Sequence, residues 1–245
     1  MISASIVLFN QDIKVLQKTI DSFLNIKLEK KLFLIDNSSS NSLKKVKNSP
    51  EIEYIFVGKN IGFGKAHNLV LNQLNSDFHL ILNPDIEFKP LVLSNLIEVL
   101  NDSINVSFIT PKVVYPNNDY QHICRKHPSF FDLINRKLKI SKNQILKNEY
   151  QNCDLEKSFY PEFIHGCFML FKTDDFKKLK GFDERYFLYM EDADICRKIE
   201  KSGKKILYYP NETIIHHHQK GSSKSIKLFF IHLNSAFKYF LKWGF

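Results

Sequence analysis

At 245 residues, 44% apolar and 13% aromatic, the chain has ample material for a packed core in one large domain or two small ones. Its formal net charge of +9 points to an anionic partner, a role that nucleic acid, a membrane surface or a phosphorylated small molecule would fill equally well. Cys124, Cys153, Cys167 and Cys196 are scattered without a Cys-x-x-Cys pair, which argues against a zinc knuckle or disulfide framework and for reduced thiols in the cytoplasm.

Ser3 to Phe9 is rich in Ile, Val and Leu and reads as a buried strand. A helix capped by Asn10 or Asp12 follows to about Asn25, with Ile13, Leu16, Ile20, Phe23 and Leu24 on one face. Lys31 to Ile35 is a second strand, ending at Asp36-Asn37-Ser38-Ser39-Ser40. A short helix and a strand from Ile52 to Val57 lead to the glycine-bearing turn Gly58 to Gly64, after which Ala66 to Leu74 has helical spacing. Asp77 to Leu82 is an apolar strand closed by Asn83-Pro84-Asp85, and a further helix runs from about Pro90 to Leu100. Strands alternating with helices predict an α/β fold with a doubly wound, mostly parallel sheet, whose ligands sit at the carboxyl ends of the strands. Asn83-Pro84-Asp85 is then either an ordinary turn or the place where a carboxylate meets a hard divalent cation.

Beyond Thr110 the pattern is less regular. Val113 to Tyr115 and Tyr120 to Arg125 read as short strands and Ser129 to Leu138 as a helix, while Lys137 to Lys157, rich in Lys and Asn, reads as a mobile excursion. Phe163 to Phe171 is a strand whose Gly166 lets the backbone approach a ligand, and a helix from Asp174 to Leu179 ends at Gly181. Glu191 and Asp192 open another helix, either as first-turn acids or as a general base and its neighbour. A strand from Lys205 to Tyr209 and a turn at Pro210-Asn211 precede His216-His217-His218, of which one is a metal ligand or all are solvated loop residues. Without a repeat or low-complexity linker, the expectation is one domain: a nucleotide-binding half (1–110), an acceptor half (111–223) and a C-terminal amphipathic helix (224–245).

Six stretches resemble a known family when taken in order. They are Asp36-Asn37-Ser38-Ser39, Asn60-x-Gly62-Phe63-Gly64-x-x-x-Asn68, Leu82-Asn83-Pro84-Asp85, Gly166-x-Phe168-Met169-Leu170-Phe171, Gly181-Phe182-Asp183-Glu184 and Tyr189-x-Glu191-Asp192-x-Asp194-x-Cys196-x-Arg197. Together they resemble the family 2 inverting glycosyltransferases of GT-A fold, and within it the bacterial rhamnosyltransferase branch, which Arg125-Lys126-His127-Pro128 also fits. The resemblance implies that Asp36 contacts the donor's base, that Asn60 and Gly62 line the donor pocket, and that Asn68, Asn83, Glu191 and Arg125 belong to the substrate site. It implies Asp192 as the catalytic base, Asp85 as the metal-binding acid and His216, in preference to His217 and His218, as a metal ligand. Asn83 stands where the family's Asp-x-Asp has its first acid, so the implied Mg²⁺ or Mn²⁺ site is one carboxylate poorer. The expected partners are a dTDP- or UDP-sugar, best dTDP-rhamnose, and a glycan or lipid-linked acceptor of cell-surface polysaccharide synthesis. A non-catalytic sugar-nucleotide binder is the rival reading.

No basic-aromatic motif for nucleic acid is present, and no apolar run approaches the roughly 18 to 20 residues of a membrane span. Ile226, Phe229, Phe230, Leu233, Phe237, Phe240 and Leu241 recur at helical spacing among Lys224, Lys227, Lys238, Lys242 and Trp243. Such a stripe either lies on the inner face of the cell membrane or packs on the sheet or a second subunit.

Overall fold

A computed structural model describes residues 1–46, 49–138, 140–217 and 226–244, without the side chains of 134, 136 and 137. Strands β1 (Ile2–Leu8), β2 (Lys30–Asp36), β3 (Ile52–Phe56) and β4 (Phe78–Leu82) pair in parallel in the order β3-β2-β1-β4. Their crossovers include α1 (Ile13–Leu24), which buries Leu16, Ile20 and Phe23 and is capped by the Asp12 carboxylate. The stretch expected as one helix from Ala66 divides into α2 (Phe63–Asn68) and a 3₁₀ turn at Leu71–Gln73. Asn68, Val70 and Asn72 are poor helix formers, which accounts for the break.

The two-residue β5 (Ile86–Glu87) and α3 (Pro90–Asp102) precede the long β6 (Val106–Val114). A ribbon of β7 (Cys124–Arg125) and β8 (Phe163–Ile164) brackets α4 (Phe130–Leu138) and α5 (Lys142–Asn148). The chain then adds β9 (Phe168–Lys172), α6 (Thr173–Lys178), α7 (Glu191–Lys201), β10 (Lys205–His216) and α8 (Ile226–Trp243). The finished sheet has eight strands, β3-β2-β1-β4-β9-β6-β10-β5, with β9 antiparallel to both neighbours and β10 parallel to β6.

Three further expectations are revised. The strand foreseen from Phe163 to Phe171 breaks at His165-Gly166-Cys167, where Cys167 N–H donates to the His165 carbonyl (2.9 Å), so β8 and β9 join different sheets. The turn at Pro210-Asn211 is a bulge inside β10: Tyr209 faces Pro111, yet the next paired residue, Thr213, faces Lys112. Proline lacks the ladder N–H and is tolerated at such a point. Residues 140–157 of the excursion expected from Lys137 to Lys157 are also more ordered than their composition indicates. They contain α5, capped by Ser141, and return to the body through Lys126 N–H on the Asn148 carbonyl (2.9 Å) and an Arg125–Glu149 ion pair.

Beneath the parallel strands lies a buried polar chain. Ser3 and Ser5, which share a face of β1, contact His79 Nδ1 (2.7 Å) and Nε2 (3.0 Å), and Ser5 also contacts His67 Nδ1 (2.7 Å). Burial holds both imidazoles neutral, pulling His67 well below its ordinary value and His79 down to about 3. Both are depressed relative to the unfolded chain, so the stability they support is complete above about pH 6.5 and is lost as pH falls toward their folded values. Each contributes a slope of about 1.36 kcal/mol per pH unit. Urea unfolding between pH 6.5 and 5 therefore shows a steep decline, and His79→Gln removes about one such slope. An identical pH dependence in that variant would exclude His79 as a cause.

Candidate active site

A cleft of about 750 Å³ opens at the carboxyl edge of the sheet. Asn83 at the end of β4, Gly166 and Cys167 before β9, Glu191 and Asp192 at the start of α7, and His216 at the end of β10 all face it. The backbone enforces this arrangement. Tyr189 and Met190 take left-handed conformations (φ 71° and 70°), a posture costing about 1–3 kcal/mol per non-glycine residue and concentrated at functional sites. Met190 cannot cap a helix with its side chain, so Glu191 and Asp192 enter α7 as its first two residues rather than as its cap.

Asp192 is held from both sides. Its Oδ2 accepts from Gly166 N–H (3.2 Å) and its Oδ1 from Ala193 N–H (2.9 Å). Gly166 thus makes its close approach to Asp192 itself: a Cβ there would lie 3.3 Å from the Asp192 Cβ. Burial pushes the Asp192 carboxyl up, against the pull of those amides. Glu191, 5% exposed, is pushed up to about 8 by burial and by the charge of Asp192. Of two adjacent acids sharing a buried site, Glu191 therefore keeps its proton longer, leaving Asp192 the ionised member. Among the described residues no hydrogen-bond partner meets Glu191 Oε2, although it is buried at the cleft wall.

His216 and Asp85 meet across the end of the sheet, with His216 Nε2 3.2 Å from Asp85 Oδ1. His216 Nδ1 donates to Gln121 Oε1 (2.8 Å), and Gln121 Nε2 donates to the His216 carbonyl (2.8 Å), fixing the ring so that Nε2 faces the carboxylate. Burial lowers the basicity of this imidazole, but hydrogen bonds to Asp85 and Cys167 outweigh it and raise the group to about 10. Asp85 thus gathers positive charge where it meets the ring. Asp85 does not line the cleft itself. It connects to Asp192 through His216, Cys167 and Gly166, with Asn83 N–H on the Cys167 carbonyl (2.9 Å). His217 belongs to another environment, 2.6 Å from Glu87, which also pairs with Lys18, and His218 lies outside the described residues.

The remaining expected site residues divide. Arg125 lines the cleft, oriented by His165 (Nε to Nε2, 2.6 Å) and by Glu149. Asp36 ends β2 at the same sheet edge, but its carboxylate is fully buried, accepting from Ser38 N–H (2.9 Å) and the Tyr54 hydroxyl. A donor base reaching it would have to displace Tyr54. Asn60 is exposed and accepts from Gly62 N–H (3.0 Å). Gly62 presses on the chain itself: a Cβ would stand 2.3 Å from the Phe187 carbonyl oxygen. Asn68 is a brace rather than a cleft residue, its amide spanning Phe182 N–H (2.9 Å) and carbonyl (2.8 Å).

Sequence reasoning passed over Gln121, His165 and Cys167, which orient His216, Arg125 and the loop that carries Asn83. Only the nearness of His165 and Cys167 to the Gly166 motif was a clue. It also missed that Asp194 is an anchor. Fully buried, Asp194 accepts from Tyr186 (3.2 Å), Lys242 (2.7 Å) and Trp243 Nε1 (2.7 Å), tying α8 to α7.

The model of Glycosyl transferase family 2 matches residues 3–180, and that of the N-terminal domain of galactosyltransferase matches 146–220. The rhamnosyltransferase WbbL of Escherichia coli K12 is 30% identical over 223 residues, 85% of this chain and 81% of that protein. The N-acetylglucosaminyl-diphospho-decaprenol L-rhamnosyltransferase of Mycobacterium tuberculosis is 26% identical over 76% of this chain and 66% of its own length. GalNAc-T7, solved with UDP, GalNAc and Mn²⁺, superimposes with a TM-score of 0.70 at 16% identity, covering 90% of this chain and 43% of that one. The mannosyltransferase PcManGT of Pyrobaculum calidifontis, solved with GDP-Man and Mn²⁺, gives 0.63 at 15% identity, covering 90% and 57%. The shared architecture is the GT-A fold.

Proposed function

Because the chain belongs to glycosyl transferase family 2, and is a glycosyltransferase on that ground, we propose that it transfers L-rhamnose from dTDP-rhamnose to a glycan or lipid-linked acceptor, inverting the anomeric centre. The observation that carries this reading is Asp192, clamped by Gly166 N–H and facing the same cleft as His216. Asp192 takes the proton of an acceptor hydroxyl as that oxygen attacks the anomeric carbon, and the bond to the nucleoside diphosphate breaks. Glu191, still protonated near neutral pH, offers its Oε2 to a substrate hydroxyl. Arg125 presents a fixed guanidinium to anionic substrate groups.

The donor set of one carboxylate, Asp85, and one oriented imidazole, His216, fits a divalent cation that would displace the proton from His216 Nε2 and take its other ligands from diphosphate and water. When bound, such a cation would neutralise charge on the departing diphosphate. Among the described residues no three His, Cys, Asp or Glu side chains cluster as a closed site, which suits a metal shared with substrate.

A thermal-shift panel of dTDP-rhamnose, UDP-hexoses and GDP-sugars, with and without Mn²⁺, tests the reading. Saturation at 100 times Kd stabilises by about 2.7 kcal/mol, or roughly 5 to 10 °C in Tm for a chain of this size. The largest shift is expected with dTDP-rhamnose plus Mn²⁺, and Asp85→Ala should abolish the Mn²⁺-dependent part. Release of nucleoside diphosphate only when acceptor is present separates a transferase from a binder. A UDP-hexose donor is the second reading, favoured by the partial match to a galactosyltransferase domain, and a shift with UDP-hexoses alone would establish it.

A further inference from the structure

We propose that the outer face of α8 docks on an anionic lipid surface and brings the mouth of the cleft to it. Docking stands on the geometry of α8 alone, while the delivery of a lipid-linked acceptor rests on the transferase reading above.

Helix α8 has two apolar faces. The inner one is buried at Ala236, Tyr239 and Phe240 and is bolted down by Ser235 on the Leu188 carbonyl (2.8 Å) and by Lys242 and Trp243 on Asp194. The outer one carries Ile226, Phe230, Leu233, Phe237 and Leu241, exposed by 78, 63, 49, 57 and 64%. Their spacing of four, three, four and four residues forms one stripe about 22 Å long at 1.5 Å per residue. A helix so well anchored does not need a second apolar face for folding, and large exposed apolar stripes mark interaction surfaces. Phe130 extends the apolar surface: its ring meets Phe240 (6.1 Å) and Phe131 (6.2 Å), the latter 80% exposed at the start of α4.

Charge chooses the occupant. From Thr213 to Phe245 the sequence holds five lysines and no acidic residue. Of these, Lys227 and Lys238 lie on α8 beside the stripe, Lys242 is already neutralised by Asp183 and Asp194, and Lys220 and Lys224 lie outside the described residues. A second copy of the same face would bring Lys227 and Lys238 against their counterparts with no acid on α8 to pair them, whereas an anionic bilayer complements both the apolar stripe and these lysines. Position supplies the functional link. Leu228, Phe229 and His232, on the flank of the same helix, line the cleft that holds Asp192, so docking the stripe sets the cleft beside the lipid headgroups. No helix among the described residues is long and apolar enough to cross a membrane, so this contact lies in the interface plane.

The test is co-sedimentation of the full chain with vesicles of phosphatidylcholine alone or mixed with phosphatidylglycerol, at low and high salt. The chain should pellet with the mixed vesicles, less so at high salt. The double variant Phe230→Ser/Phe237→Ser, altered only at exposed positions, should partition at least tenfold more weakly. Circular dichroism and donor-induced thermal shifts in the same samples separate lost docking from lost fold or lost donor binding. Equal pelleting of variant and parent overturns the proposal, as does equal pelleting on neutral vesicles. So does a parent that stays in solution, including one whose dimer the double substitution disperses, which would mean that a second copy covers the stripe.

Discussion

Asp192→Asn lowers kcat for sugar transfer by about 10² to 10⁴-fold, the usual contribution of a general base, which is about 2.7 to 5.5 kcal/mol of barrier at 1.36 kcal/mol per decade. Donor affinity stays at the parent value if Asp192 serves the acceptor's proton as proposed, because its own anchors are backbone amides of Gly166 and Ala193. The pH profile makes the test specific. The base must be ionised, so kcat/KM falls as pH drops through the Asp192 value. Burial has moved that value upward, placing the acid limb above that of an ordinary aspartate. The variant should lack the limb, whereas Glu191→Gln should retain it, since Glu191 still carries its proton when Asp192 titrates. A variant with undiminished turnover would remove Asp192 from the chemistry.

Gly62→Ala is expected to damage both fold and catalysis. Gly62 sits at φ 94°, ψ 170°, a conformation open almost only to glycine, and its missing Cβ leaves room for the Phe187 carbonyl. The combined cost is about 3 kcal/mol, or about 6 to 12 °C in Tm. Phe187 has to move, and the residues after it are the left-handed Tyr189 and Met190 that aim Glu191 and Asp192 into the cleft. The residual folded enzyme should therefore show a lower kcat. Gly203→Ala is the control: φ is 79°, but nothing lies within 4 Å of the added Cβ, so only the backbone cost remains. Equal losses in the two variants would show that the contact with Phe187 contributes nothing.

The stretch around Gly62 also illustrates what a linear reading can reach. A glycine before a helix signals close approach of something to the backbone, and a nucleotide was the natural expectation. The structure supplies Phe187, from 125 residues further on, and hydrogen-bonds Phe63 N–H to the same carbonyl (3.0 Å). Asn68 and Asp194 tell the same story. Both lie in motifs dense with polar residues, yet Asn68 braces the Phe182 backbone and Asp194 anchors α8. Polar side chains at fixed spacing look alike in sequence whether they satisfy a buried backbone or face a substrate.

The alternation of apolar runs with helical spacing was enough to specify the α/β sheet, because each run's period is a local property of its own residues. The same pattern delivered Asp36, Asn83 and Asp85 to the carboxyl edge, since strand direction fixes which loops share an edge. The facing of the three adjacent histidines was not fixed locally. The bulge at Pro210 to Glu212 interrupts the period-two alternation of β10, so its pairing with β6 beyond the bulge, and with β5 at His216 and Ile86, determines that His216 meets Asp85 while His217 turns to Glu87. The two faces of α8 are likewise a tertiary outcome. Its apolar periodicity is continuous, and burial against α7 through Asp194 divides it into an anchored side and an exposed one.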